Sequence, residues 1–172
     1  INGPAQATFE TAAFLAGQTG WLKDYREYAF GGSRSGAQIV DYVALNFSLS
    51  PRLLLALLEF QAGALTQAVI PDDLGGYVLG NHDNFYRGVY LQLVWAANLL
   101  NDGYYRYRAG TLLEFEHLDG RIERFDPWQN SATASLHYYF SHLLAGESYL
   151  RAVAHDGVAL VCRISFGDPC VA

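Results

Sequence analysis

Residues 50–63, Ser-Pro-Arg-Leu-Leu-Leu-Ala-Leu-Leu-Glu-Phe-Gln-Ala-Gly, constrain this chain more than any other stretch. Ser50 is a good N-cap, and Pro51 suits the first helical position because its φ is preset and its missing N–H is not needed there. The run that follows is apolar at almost every position, and Gly63 supplies a stop. The segment predicts a short helix that the rest of the chain must enclose on most sides. Glu59 and Gln61 fall near its C-terminal end. A buried carboxylate costs free energy unless it is paired or protonated. A desolvated Glu59 would hold a proton as a general acid must, whereas a Glu59 that meets solvent or an arginine would be structural.

The chain has 172 residues, enough to build a proper core as a single domain. Hydrophobic residues make up 51% and charged residues 16%, the balance of an ordered globular protein. A net charge of −6 argues against nucleic acid, which calls for a basic footprint. No apolar run approaches the roughly 20 residues needed to span a bilayer. The chain starts at Ile1 and contains no methionine, so it is expected to be a processed piece whose signal peptide is gone. Its two cysteines, Cys162 and Cys170, fit a small C-terminal disulfide loop in an oxidising compartment and fit two free thiols equally well.

Along the chain, residues 1–7 read as a loose arm. Thr8 to Leu15 predicts a short helix, and Trp21 to Phe30 another, with Trp21, Leu22, Tyr25 and Tyr28 on one stripe. Ser35 caps a helix carrying Ile39, Val40, Val43, Ala44 and Phe47. The Pro51 helix follows, then a long loop over 63–83 of the kind that often carries function. Asn84 to about Arg108 predicts a long helix weakened at Gly88 and Gly103. The period then switches to alternation: 113–117 and 121–125 flank Asp119-Gly120, a two-residue hairpin signal that would set Glu116 opposite Glu123, with Arg121 to relieve the repulsion. Asp126 to Asn130 is a loop. A helix from Ser131 to Leu144 and two shorter ones complete an α+β, mostly α chain with one hairpin.

Most catalytic chemistries find no support in the residues. Dinucleotide and phosphate loops are missing. His137 and His142, five apart, do not share a helical face, and the other histidines are scattered, so no metal site and no cofactor is expected. There is no nucleophile elbow. What remains is carboxylates near an aromatic-rich cleft, since 15% of the chain is aromatic, with 12 tyrosines and 3 tryptophans. Aromatic faces suit sugar rings, and glycoside hydrolysis needs only one or two carboxylates beside them.

The stretch from Ser50 to Gly63 resembles the first motif of the lysozyme-like superfamily, in particular lytic transglycosylases and goose-type lysozymes. There a helix opens at proline, runs apolar and ends in Glu-Ser-Gly, whose glutamate is the acid. Arg87-Gly88-Val89-Tyr90-Leu91-Gln92-Leu93, preceded by Asn84, is similar to the second motif. Tyr107-Arg108-Ala109-Gly110, or alternatively Asn130-Ser131-Ala132, is similar to a degenerate third. The resemblance covers residues 35–145 loosely and departs at its key position, where Gln61 replaces the acid. Glu59 lies two residues earlier, about 200° away around a regular helix. Three readings follow: the acid has moved to Glu59; it comes from elsewhere, such as Asp126 or Glu116; or catalysis is lost and glycan binding kept.

The resemblance implies a lysozyme-like helical domain and a secreted or cell-envelope glycosidase acting on a β-1,4-linked polysaccharide. Peptidoglycan is the first substrate, and chitin or a neutral β-glucan the next. Glu59 would be the acid with Asp126 assisting, and Gln61, Tyr105, Tyr107, Trp128 and Asn130 would hold sugar. The alternative is a non-catalytic glycan- or envelope-binding module. Either would be part of a larger secreted multidomain protein, with a polysaccharide as its partner.

Overall fold

The computed structural model describes residues 9–167; the expected arm at 1–7 and Cys170 lie outside them. The chain forms two compact units that divide between Trp95 and Ala96. It is α+β and mostly α, as the sequence predicts.

In the first unit, α1 (Thr11–Ala16) precedes a 3-10 turn at Trp21–Lys23 and a hairpin of β1 (Arg26–Ala29) and β2 (Gly32–Ser35). This hairpin replaces the helix expected over 21–30. The stripe Trp21, Leu22, Tyr25, Tyr28 mimics helical spacing, but Tyr28 is 78% exposed and Ala29 is buried. Strand alternation governs here, with a two-residue loop at Phe30-Gly31. Both loop residues have positive φ, 35° and 86°, which is the type I′ arrangement that matches strand twist. Glu27 pairs with Arg34 across the ladder, and Tyr28 with Ser33.

Helix α2 (Gly36–Phe47) begins with a full capping box: Ser35 Oγ accepts from the Gln38 N–H, and the Gln38 side chain accepts from the Ser35 N–H at 3.0 Å. Its inner face is Ile39, Val40, Val43 and Ala44. Helix α3 runs Pro51–Ala62 as predicted, with Ser50 at the N-cap and Gly63 left-handed at φ 58°. Leu53 to Leu58 are all buried. Trp21 Nε1 donates to the Ala62 carbonyl at 2.9 Å, and the N–H groups of Trp21 and Leu22 donate to the carbonyls of Gln67 and Ala64. The segment after α3 is thus fastened beside the 3-10 turn.

Helix α4 (Val89–Arg108) crosses the division between units. The chain breaks before it, at Gly88 with φ 98°, where a Cβ would collide with the Glu27 carboxylate. It does not break at Gly103, where a Cβ would lie 2.9 Å from the Tyr138 ring. That glycine lets α5 approach α4 closely.

In the second unit, β3 (Glu114–Glu116) pairs with β4 (Ile122–Arg124). The expected register is off by one. Phe115, not Glu116, faces Glu123, and Glu116 faces Ile122. The loop is three residues, not two: the Gly120 N–H donates to the His117 carbonyl, the His117 N–H donates to the Arg121 carbonyl, and Gly120 is left-handed at φ 81°. This is a type I turn with a glycine bulge. The like-charge pair is thereby avoided. Helices α5 (Ser131–Ser141), α6 (Gly146–Val153) and α7 (Val158–Phe166) follow. Phe115, Phe125 and Tyr149 form the aromatic centre of this unit, with Phe115–Phe125 ring centroids 4.6 Å apart.

Candidate functional site

The end of α3 carries Glu59 and Gln61. The half-buried Glu59 accepts twice from the segment just beyond its own helix, through Oε2 from the Leu65 N–H and through Oε1 from the Thr66 hydroxyl, both at 2.6 Å. Its carboxylate therefore clamps the chain that reverses at Gly63. Gln61 faces a different way, as their separation around the helix requires, and its Nε2 donates to the Leu79 carbonyl at 3.0 Å. Leu79 and its neighbours are also held by Gln92, which is fully buried. Gln92 Oε1 accepts from the N–H groups of Leu79 and Asn81, and its Nε2 donates to the carbonyls of Asn81 and Tyr86 at 2.7 Å. Buried side-chain amides require this degree of satisfaction. The long loop after Gly63 is thus pinned by two glutamines of helical origin. Gln92 was not singled out from the sequence; its place among apolar neighbours on a helix was the available signal.

The remaining sequence-derived candidates belong to the second unit. Tyr107, near the end of α4, donates its hydroxyl to the carbonyls of Asp126 (3.1 Å) and Gln129 (2.9 Å). Its ring packs on Phe125 at 5.2 Å. Asp126 Oδ1 accepts from the Trp128 N–H at 2.9 Å, an Asx turn. Asn130 caps α5 by accepting from the Thr133 N–H at 2.8 Å. Tyr107, Asp126 and Asn130 are therefore brought together as the frame of one short loop. The frame presents Trp128, which is 92% exposed. Beside it, Gln129 is half-buried, and its Nε2 is enclosed without a hydrogen-bond partner. Tyr105 is 59% exposed on α4. Glu59 and Gln61 belong to the other unit.

A third group went unrecognised in the sequence. The inner face of the β3–β4 hairpin carries buried His117, whose Nε2 contacts Glu123 at 3.0 Å, and Arg121 contacts the same carboxylate at 2.8 Å. The ring of His117 sits edge-on to Tyr149 at 4.4 Å, and the Tyr149 hydroxyl meets His137 Nδ1 at 2.7 Å. Burial pushes His137 below the ordinary histidine value; the Glu123 charge opposes that shift and His117 adds to it. Burial also drives Tyr149 well above the usual tyrosine range, helped by Glu123. Strand alternation already put Phe115 and His117 on one face; that α5 and α6 supply their partners was not legible. Among the described residues no cluster of histidine, cysteine, aspartate and glutamate is arranged to hold a metal ion.

A family model described as LasA, N-terminal domain, matches residues 1–160. The chain belongs to the LasA N-terminal domain family. The match does not indicate the lysozyme-like superfamily, to which the resemblance drawn from 50–63, from 87–93 with Asn84, and from 107–110 or 130–132 pointed. A proline start, an apolar run and a glycine stop suit an enclosed helix in any family. In this LasA N-terminal domain the polar residues at its end hold the chain's own loops. Neither a curated protein nor a solved structure matches the chain.

Proposed function

We propose that this domain is a non-catalytic, glycan-binding module of a larger secreted protein directed at the cell wall. The observation that carries the reading is Trp128. Exposing a whole indole forgoes one of the largest apolar burials a side chain can make, yet the loop beneath it is fixed by Tyr107, Asp126 and Asn130. A rigid aromatic platform suits the apolar face of a sugar ring. Pre-arrangement lowers the ordering cost of binding.

Two further facts support the setting. LasA is a staphylolytic peptidase, and the family is named for that protein's N-terminal domain; a wall-degrading enzyme gains from a module that holds it on its substrate. Cys162 is disulfide-bonded, as befits an oxidising compartment. No helix among the described residues is long and apolar enough to cross a membrane.

The glycosidase reading, with Glu59 as acid and Asp126 assisting on a β-1,4-linked polysaccharide, draws less support. A general acid needs an oxygen free to deliver its proton to substrate. Both Glu59 oxygens already accept from Leu65 and Thr66, and Asp126 is turned to its own loop.

The deciding experiment is sedimentation of the intact domain with insoluble peptidoglycan, chitin and cellulose, followed by a reducing-end assay. The expected result is saturable binding to peptidoglycan, no new reducing ends, and about tenfold weaker binding for Trp128→Ala, equivalent to about 1.4 kcal/mol. Reducing ends from wild type that vanish in Glu59→Gln would reverse the assignment in favour of the hydrolase. Equal retention of wild type and Trp128→Ala would remove the platform.

A further inference from the structure

The first unit holds a second feature built for contact, independent of Trp128. At the tip of the β1–β2 hairpin, Phe30 adopts φ 35°. A non-glycine residue in the left-handed region is strained, and strain of this kind concentrates where a side chain must be aimed. The Phe30 ring stacks on Tyr42 of α2, with centroids 3.9 Å apart and planes 6° from parallel. Tyr90 meets both rings edge-on. Over the Phe30 ring lies the guanidinium of Arg34, its central carbon 4.8 Å from the centroid. On another side Nη2 lies 3.3 Å from where a Cβ of Gly32 would stand, so the bare backbone there makes room for it.

Arg34 is half-buried, and among the described residues it makes no ion pair and no hydrogen bond; its Nε is wholly enclosed. Glu27 faces it across the ladder, but the Glu27 carboxylate accepts from the Tyr25 hydroxyl and the Tyr90 N–H instead. A guanidinium is a planar fork whose geometry matches a carboxylate, and its contact with the Phe30 ring limits the freedom it has left to lose on binding. The enclosed Nε is out of reach of a ligand, and the Nη donors, which have no partner among the described residues, are the ones a carboxylate can take.

We propose that the Tyr42–Phe30–Arg34 stack is a binding site for a ligand that carries a single carboxylate. The carboxylate takes the edge of the Arg34 fork. The part of the ligand attached to it lies along Tyr42 and Leu45, which is 80% exposed and three residues further along α2. A monoanion fits better than a phosphate dianion, because Arg34 is the one cation in the stack, Glu27 lies opposite it, and the chain carries a net charge of −6. Wall polymers offer such carboxylates from two sources, peptide termini and sugar acids.

The test follows the backbone N–H resonances of Phe30, Gly31 and Gly32 at the hairpin tip in the intact, isotope-labelled chain by NMR, signals that wild type and both Arg34 variants share. N-acetylalanine represents the peptide source and glucuronate the sugar acid, each at fixed ionic strength. N-acetylalaninamide and glucose are their neutral twins, and inorganic phosphate is a further comparison. The expected result is a saturable shift with one of the acids, none with its neutral twin, and at least tenfold weaker binding in Arg34→Gln, with Arg34→Lys between the two. The acid that responds names the source. No saturable shift with either acid, an equal shift with a neutral twin, or tighter binding of phosphate than of both acids overturns the proposal. Trp128→Ala should leave this titration unchanged, so failure here and failure of the glycan platform are separately visible.

Discussion

Cutting the Glu59 clamp should cost stability in a pattern that only a clamp produces. The Leu65 N–H belongs to a residue 2% exposed, so removing its acceptor strands a buried donor, at about 1–3 kcal/mol. The Thr66 hydroxyl is exposed, and its charge-assisted bond to Oε1 is worth about 1 kcal/mol after solvent competition. Glu59→Ala should therefore destabilise the domain by about 3 kcal/mol. Glu59→Gln should cost about 1 kcal/mol, because one oxygen remains for the Leu65 N–H. Thr66→Ala should cost about 1 kcal/mol, and the double variant Glu59→Ala/Thr66→Ala should cost no more than Glu59→Ala alone, a coupling of about 1 kcal/mol. Urea unfolding followed by circular dichroism measures this as a change in midpoint at constant slope. A coupling under about 0.3 kcal/mol, within the ordinary scatter of independent sites, would refute the clamp and return the carboxylate to the list of groups available for chemistry.

Three other outcomes are expected. Gly103→Ala gains about 1 kcal/mol of helix propensity, but its Cβ meets the Tyr138 ring at 2.9 Å, which costs about 1–3 kcal/mol; a lowered melting temperature is expected, and a raised one would show that α5 can retreat. Gly88→Ala forces a β-carbon into a φ of 98° and against Glu27, so a loss of roughly 2 kcal/mol or more is expected in the same assay. Burial holds His137 below its unfolded value near 6.5, so its contribution is fully present above that pH and is lost as pH falls through it, because the unfolded chain takes up the proton first. Stability should decline below about pH 6.5, less steeply in His137→Gln; parallel profiles for the two proteins would contradict this.

The parts of the fold legible in the sequence are those where local chemistry and burial agree. Helix α3 is bounded by Pro51 and Gly63, and its apolar run leaves no other element possible. Helix α2 announces itself through Ser35 and Gln38. The first hairpin was hidden because Trp21, Leu22, Tyr25 and Tyr28 fall at helical spacing, and because Phe30 occupies a turn position where asparagine or glycine is the usual sign. The second hairpin was visible in Asp119-Gly120, but Gly120 serves as a bulge and not as the second residue of a tight turn, which moves every cross-strand pair by one. The site was less legible. Sequence can place Glu59 on an apolar helix; it cannot show that Leu65 and Thr66 fold back to meet both oxygens. It can mark Trp128 and Asn130 as loop neighbours; it cannot show that Tyr107, from another element, fixes the loop that exposes one and employs the other as a helix cap.

The way Tyr107 grips that loop has an evolutionary corollary. It binds two backbone carbonyls, those of Asp126 and Gln129, and no side chain between them. Position 128 is consequently a socket whose shape does not depend on what fills it. A change of residue there alters the exposed surface and leaves the mounting intact, so position 128 can vary without a folding problem to solve first.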